Sequence, residues 1–317
     1  MKLKIVIAVG PWDFETWRDA FVTVASGRKV HMWPQDGVDV GSEPYVICSW
    51  KASEDVFSQQ IPPAAVFSLG AGVDHLACLA LRPSVPVARI IDSDLTMRMV
   101  EYVSYAVLHL HRQIPHYLRA QASRQWAPII QPAASSVRVG ILGAGVLGRA
   151  CGEMLKHLGF QVSAWARTPR TDFPYPVHVG AAGFSEFLGN TDILVNLLPN
   201  TPSTVGVIDA RCFEGLSHAR GAGFPGFVNA GRGETVNQGD MVQALKQGAI
   251  GAAVLDVFEV EPLAEASEIW NLPNVLLTPH VAADSEPTVV VSQIIRNIEV
   301  LEQGGELEHP VDLGKGY

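Results

Sequence analysis

Three residues of this chain suggest acid–base work on a carboxylated carbonyl compound: Arg232, Glu261 and His280. They sit in Asn229-Ala230-Gly231-Arg232-Gly233, Asp256-Val257-Phe258-Glu259-Val260-Glu261-Pro262 and Thr278-Pro279-His280-Val281-Ala282. A guanidinium offers a rigid fork of donors that fits a carboxylate and a neighbouring carbonyl together. An imidazole titrates near neutral pH and can hand a proton to a carbonyl oxygen as hydride reaches the adjoining carbon. A carboxylate beside the ring favours its charged form and orients it. Singly, each has an ordinary alternative: an ion-pair partner, a helix cap, a core histidine. In this order, downstream of the glycine loop described next, they can converge on one crevice at the ends of consecutive strands.

Gly143-Ala144-Gly145-Val146-Leu147-Gly148 has the G-x-G-x-x-G spacing. An apolar run precedes it and a helical pattern follows from Arg149, closed by Gly159. That strand–turn–helix context is what a dinucleotide pyrophosphate requires. The first glycine makes the turn, the second admits the phosphates, and the third lets helix and strand pack closely. The free N–H groups of the helix N-terminus then face the anion. A second match, Gly221-Ala222-Gly223-Phe224-Pro225-Gly226, precedes a strand and opens no helix, so it reads as a loop. About 20 residues past the glycines, NAD enzymes usually carry a carboxylate for the ribose. Here the chain reads Ala166-Arg167-Thr168-Pro169-Arg170. Arg167 and Arg170 can pair with a 2′-phosphate, and Thr168 adds a hydroxyl. NADP is therefore expected in preference, with NAD possible.

These segments need strands to carry them. Short β-branched runs alternate with helical stretches, which predicts parallel sheets with crossover helices. Strands are expected at residues 4–9, 45–48, 66–69 and 87–91, then at 136–142, 161–165, 193–197, 227–229, 252–255 and 275–277. Residues 95–114 predict one long helix, its apolar stripe being Val100, Val103, Val107, Leu110 and Ile114. A proline-bearing connector follows at 126–132. A last helix is expected from Ser285 as N-cap, with Pro287 in its first turn and Val291, Ile294, Ile295, Ile298 and Leu301 inward.

Composition sets the class. The chain has 317 residues, too many for one typical core, which predicts two domains. With 48% hydrophobic and 17% charged residues it has ample material for buried sheets. A net charge of −9 argues against nucleic acid and anionic membranes as partners. No apolar run approaches the roughly 18 residues of a membrane helix. The apolar start reads as a buried strand and not a secretory signal, because Gly10-Pro11-Trp12-Asp13 ends it. Cys48, Cys78, Cys151 and Cys212 lack any C-x-x-C pairing and fit a reducing, cytoplasmic setting. His109, His111 and His116 lack metal-ligand spacing, so no metal is expected.

These blocks, in this order, resemble the D-isomer-specific 2-hydroxyacid dehydrogenases along nearly the whole chain. Within them, Leu69-Gly70-Ala71-Gly72-Val73-Asp74-His75, the glycine loop, Asn196-Leu197-Leu198-Pro199-Asn200-Thr201 and the terminal Gly316-Tyr317 are similar to the glyoxylate/hydroxypyruvate reductase A group. The resemblance implies an α/β fold: a Rossmann-type doubly wound cofactor domain over residues 101–282, and a smaller flavodoxin-like substrate domain from 1–100 and 283–317. It implies catalytic roles for Arg232, Glu261 and His280. Gly143, Gly145, Val146, Leu147, Gly148, Leu198, Pro199, Ala230, Gly231 and Asp256 would line the cofactor. The Gly70-Ala71-Gly72 loop would offer N–H groups to the substrate carboxylate, with a plain tight turn as alternative. Trp50 and Lys51 can line the pocket, though packing explains Trp50 equally well, and Met99 can also reach the site, though a methionine on a helical stripe reads more readily as core. The implied reaction is NADPH-dependent reduction of glyoxylate or hydroxypyruvate in a cleft that closes, by a homodimer whose interface lies near the three histidines and Trp126. Alternatives are a non-catalytic nicotinamide-sensing corepressor, which would carry partner-binding tails, and a dehydrogenase for another small D-2-hydroxy acid. Glu261 disfavours formate dehydrogenase, which has Gln there, and no added regulatory domain of the 3-phosphoglycerate enzymes is visible.

Overall fold

Ile5-Val6-Ile7-Ala8-Val9 is buried on both faces, as an inner strand of a parallel sheet must be. The computed structural model describes the chain apart from residues 1, 11–13, 26, 37–42, 78–81, 83, 218–224 and 314–317, and the side chains of residues 14 and 77. Cys78, Gly316, Tyr317 and most of the second glycine match lie outside the described residues. The elements in chain order are β1 (Lys4–Val9), α1 (Phe14–Val24), β2 (Val30–Met32), β3 (Tyr45–Trp50), β4 (Val66–Ser68), α2 (Asp74–Ala77), β5 (Val87–Ala88), α3 (Ser93–His111) and α4 (Ile114–Ala122). There follow β6 (Arg138–Leu142), α5 (Val146–His157), β7 (Gln161–Ala166), β8 (Val177–Val179), α6 (Gly180–Gly189), β9 (Ile193–Asn196) and α7 (Ala210–Glu214). The chain closes with β10 (Gly226–Asn229), α8 (Gln238–Gln247), β11 (Ala252–Leu255), β12 (Val275–Leu277) and α9 (Pro287–Glu302).

The contacts gather into two units, Met1–Leu95 with Ser285–Tyr317, and Thr96–Asp284. The first holds a parallel sheet ordered β2-β1-β3-β4-β5. Period-two alternation divides its core. Ile5, Ile7 and Val9 pack with Trp17 and Phe21 of α1 and with Val291, Ile294 and Ile298 of α9. Val6 and Ala8 face the other side, with Tyr45, Ile47 and Leu76. The second unit holds a parallel sheet ordered β12-β11-β10-β9-β6-β7-β8. Val139 and Ile141 pack with α3 and α5, while Leu142, Leu194 and Phe227 pack with Leu188, Phe213 and Met241 on the opposite face. Strand order reverses between β6 and β9, the point where open α/β sheets bind ligands.

Four expectations need correction. The helix over 95–114 breaks: α3 ends at His111, Gln113 turns left-handed at φ 55°, and α4 begins at Ile114. Pro115 cannot donate to the carbonyl of His111, so the first helix cannot run through it. Strands β2 and β8, three residues each with a histidine at the centre, carry no apolar run and lie outside the expected set. The cap of α9 is Glu286, which accepts from the Thr288 N–H at 3.4 Å, and not Ser285; Pro287 as first helical residue sets the cap one position later. The apolar stripe of α3 and the histidines His109 and His111 face inward. His111 stands edge-on to Phe160 at 5.1 Å, and burial holds both imidazoles below their usual range. They pack inside the chain's own unit and are not available to a dimer interface.

Arg28, almost wholly buried, ties α9 to the start of the first unit. Its Nη2 donates to Glu302 Oε2 at 3.0 Å, and Nη1 donates to Oε1. Those bonds, with one from the Leu3 N–H, hold the Glu302 carboxyl below its ordinary value near 4.5. A depressed carboxyl stabilises the fold fully above that value and loses its effect as pH falls through the lowered one. Denaturant unfolding across a pH series should therefore show Glu302→Gln less stable at neutral pH and less sensitive to acid. Parallel acid limbs for variant and parent would remove Glu302 from the acid response.

Candidate active site

The glycines of residues 143–148 do three different things. Gly143 stands at φ 111°, and a Cβ there would lie 3.0 Å from the Leu197 carbonyl oxygen. At Gly148 a Cβ would fall 2.0 Å from the Gly143 oxygen, so α5 could not pack on the turn. Gly145, the N-cap of α5, has no atom within 4 Å of its missing Cβ and makes no side-chain cap bond. Val146 is exposed and Leu147 half-buried beside it. Open space over an uncapped helix start is the shape a pyrophosphate needs.

Beside it, β9 and β10 end in register on Asn196 and Asn229. Asn196 Nδ2 donates to Asn229 Oδ1 and to Thr235 Oγ1, each at 2.8 Å. Asn196 Oδ1 accepts the Leu198 N–H at 3.1 Å, and Asn229 Oδ1 accepts the Gly231 N–H at 3.3 Å. Thr235 Oγ1 donates to the Arg232 carbonyl at 2.7 Å. This buried network seats Leu198-Pro199 against Ala230-Gly231-Arg232; a Cβ on Gly231 would lie 2.9 Å from Leu198 N. Arg232 is half-buried, with Nη1 donating to the Gly231 carbonyl at 2.8 Å. A Cβ on Gly233 would overlap the Phe258 carbonyl at 1.9 Å, so the Arg232 loop lies directly on the segment that carries Glu261.

Glu261 and His280 meet. Nδ1 of His280 lies 2.8 Å from Glu261 Oε2, while Glu261 Oε1 accepts the Phe258 N–H at 3.1 Å. His280 is a non-glycine residue at φ 58°. Asp256, fully buried at the end of β11, fixes that turn. Its Oδ1 accepts from Thr278 Oγ1 at 2.6 Å and the Val281 N–H at 2.9 Å. Its Oδ2 accepts the Ala282 N–H at 2.9 Å, and its carbonyl accepts the His280 N–H at 2.8 Å. Asp256 was expected at the cofactor; its visible work is bracing, with one acceptor direction left on Oδ2.

In the first unit, Trp50 is the last residue of β3 and is buried. Its ring lies 4.7 Å from that of His75 and 2.5 Å from where a Cβ on Gly70 would be. The absence of a side chain at Gly70 thus accommodates Trp50. Ser68 Oγ donates to the Gly72 carbonyl at 2.7 Å and accepts the Gly70 N–H at 3.3 Å, shaping the Gly70-Ala71-Gly72 turn. Met99 is core, as expected. Arg167, Thr168 and Arg170 are exposed just past β7, and Arg167 Nη1 donates to Ser203 Oγ at 2.8 Å.

The family model for the NAD-binding domain of D-isomer-specific 2-hydroxyacid dehydrogenases matches residues 104–282, more than half of the chain. The chain belongs to this family. The glyoxylate/hydroxypyruvate reductase A of Serratia proteamaculans is 35% identical over 314 residues, covering 96% of this chain and 97% of the relative. A solved NADPH-dependent glyoxylate/hydroxypyruvate reductase from Sinorhizobium meliloti, in complex with NADP and sulfate, superposes with a TM-score of 0.93 at 38% identity over the full length of both chains. A probable 2-hydroxyacid dehydrogenase from Rhizobium etli, bound to NADP, HEPES and L(+)-tartaric acid, gives 0.93 at 36% identity, again over both full lengths.

In this dehydrogenase two features, one buried and one half-buried, escaped the sequence. The Asn196–Asn229 pair requires the strand register. Tyr102 on α3 lies 2.7 Å from Thr278 Oγ1 across 176 positions of sequence. Thr278 gives its one proton to Asp256, so Tyr102 must donate to Thr278. Burial raises the Tyr102 hydroxyl well above the usual phenol range, which keeps it a donor. Thr278→Val would remove the middle of this chain and leave Tyr102 without its acceptor, a loss of roughly 1–3 kcal/mol. We expect a lower Tm and turnover reduced about tenfold, with cofactor affinity retained. Wild-type turnover in a well-folded Thr278→Val would disconnect the network from His280.

Proposed function

We propose that this chain reduces small 2-keto acids with NADPH, glyoxylate to glycolate and hydroxypyruvate to D-glycerate. The observation that carries the proposal is the 2.8 Å pairing of His280 with Glu261, built on a turn after β12 in the same sheet that carries the dinucleotide-type strand–glycine–helix unit. The names of the relatives support the same substrates. The chain's own residues fit the cofactor. Gly145 leaves an open cradle, Leu198-Pro199 and Ala230-Gly231 border it, and the tip of β7 offers Arg167 and Arg170 with no carboxylate at the expected position. When bound, a reduced nicotinamide supplies the hydride for carbon 2.

The side chains handle charge and proton. Arg232 holds the substrate carboxylate, and a neighbouring carbonyl falls within its fork. Glu261 accepts from Nδ1 and so directs the other ring nitrogen, Nε2, toward the substrate. Nε2–H gives its proton to the carbonyl oxygen, which becomes the hydroxyl of the product. The imidazole is 35% exposed and can recover a proton from solvent between turnovers. Arg232→Ala and His280→Asn should each lower turnover by about 10²–10³-fold, the scale of a lost transition-state contact. NADPH binding should survive in His280→Asn. Near-wild-type turnover in that variant would remove His280 as the donor, and a specificity constant favouring phenylpyruvate over glyoxylate would overturn the substrate assignment.

For the cofactor, each guanidinium can make a charge-assisted, bidentate contact with the 2′-phosphate. Steady-state Michaelis constants with saturating glyoxylate should favour NADPH over NADH about ten- to a hundredfold. Added salt should weaken the preference, and the Arg167→Ala, Arg170→Ala double variant should lose most of it. Equal constants in the unmodified protein would leave these arginines as a solvated loop.

The proposed enzyme is a cytoplasmic homodimer. Trp126 and Ile130, each 96% exposed, support an interface on the connector after α4, in place of buried His109 and His111. Light scattering at low micromolar concentration should give twice the chain mass, and Trp126→Ser with Ile130→Ser should shift it toward the monomer. A monomer in the unmodified protein would end this assignment.

A further inference from the structure

The loop after β9 carries a run of hydroxyls whose proton directions can be read in order. Thr204 Oγ1 has its single proton on a backbone carbonyl, either Pro199 O at 2.6 Å or Thr201 O at 3.1 Å. It therefore accepts from its other neighbours, the Thr201 N–H at 2.8 Å and Thr201 Oγ1 at 2.9 Å. Thr201 Oγ1 thus donates to Thr204. The contact between Thr201 Oγ1 and Ser203 Oγ, 3.1 Å, must then have Ser203 as donor. Ser203 keeps two lone pairs and no proton for anything else, and Arg167 Nη1 donates to it at 2.8 Å. Thr201 is buried, so the ladder is anchored below the surface and ends on the guanidinium at the tip of β7.

We propose that Ser203 is a specificity-determining positioning residue that holds Arg167 ready for the 2′-phosphate of NADP. The proposal rests on the reading that Arg167 meets that phosphate. A long cationic side chain loses rotamer freedom when a ligand fixes it, and holding it beforehand reduces the loss. The holder's chemistry matters as well. A carboxylate at residue 203 would also hold Arg167, but it would neutralise the guanidinium and repel the phosphate. A hydroxyl made into an acceptor by its own neighbours holds the cation and leaves its charge available.

The test is titration of the full chain with NADPH and with NADH, read by calorimetry, alongside 2′,5′-ADP and 5′-AMP as fragments with and without the 2′-phosphate. Ser203→Ala should weaken NADPH and 2′,5′-ADP by about three- to tenfold, the scale of one hydrogen bond, while NADH and 5′-AMP change less than about twofold. Ser203→Thr should restore the wild-type ratio, and Ser203→Asp should lose more than Ser203→Ala. In an Arg167→Ala background, Ser203→Ala should add nothing. Equal weakening of both cofactors, or an unchanged ratio, in Ser203→Ala would overturn the proposal. If Arg167→Ala lowers the ratio and Ser203→Ala does not, only the role of Ser203 falls. If Arg167→Ala leaves the ratio intact, the reading of Arg167 itself fails and the proposal fails with it.

Discussion

The buried carboxylate of Asp256 is the constraint on which the proposed chemistry depends. A carboxylate inside a sheet protein is costly unless its acceptor directions are filled. Here three of the four are filled, by Thr278, Val281 and Ala282, which are consecutive or nearly so around His280. Satisfying the charge and folding the turn are therefore one event. The turn then requires His280 to adopt a left-handed backbone, which costs a non-glycine residue of order 1 kcal/mol or more. That conformation presents the ring to Glu261. Tyr102 extends the same constraint into α3, so the turn is fastened to a long helix as well as to β11.

A second constraint is close approach of backbones. Gly231 sits against Leu198, Gly233 against Phe258, and Gly148 against Gly143. Together with the Asn196–Asn229 amide pair, these contacts bring the ends of β6, β9, β10 and β11 to a common edge. Side chains larger than hydrogen at these positions would separate the loops that carry Arg232 and Glu261. The site is thus assembled by what the glycines omit as much as by what the charged residues supply.

Much of this was legible in sequence, and the exceptions have physical causes. Strands β1 and β11 lie at the residues where apolar, β-branched runs put them, because burial on both faces leaves a continuous apolar run, and half-buried β12 keeps such a run in Val275-Leu276-Leu277. Edge strands β2 and β8 have three residues each with a histidine at the centre, so no apolar run marks them as it marks Val275-Leu276-Leu277 of β12. The break before α4 was available in Pro115, but the apolar spacing across it masked the stop. The residue types of the acid–base group were visible, and so was the glycine turn. The amide pair needed strand register, and Tyr102 needed a contact across most of the chain. The Ser203–Arg167 contact links two loops whose separate sequences suggest only turns.

The unequal surroundings of Gly143, Gly145 and Gly148 also bear on how this family can change. Gly143 and Gly148 are fixed by neighbouring backbone, which no second substitution can easily move aside. Gly145 faces open space, so a methyl group there disturbs nothing within the protein itself. Among the three glycines, selection thus has one adjustable position between two rigid ones. Drift at Gly145 alters the grip on a dinucleotide while leaving the sheet intact, whereas drift at the other two reaches the fold first. Of the three glycines, Gly145 alone leaves room for a step that reshapes the dinucleotide cradle without first moving the fold.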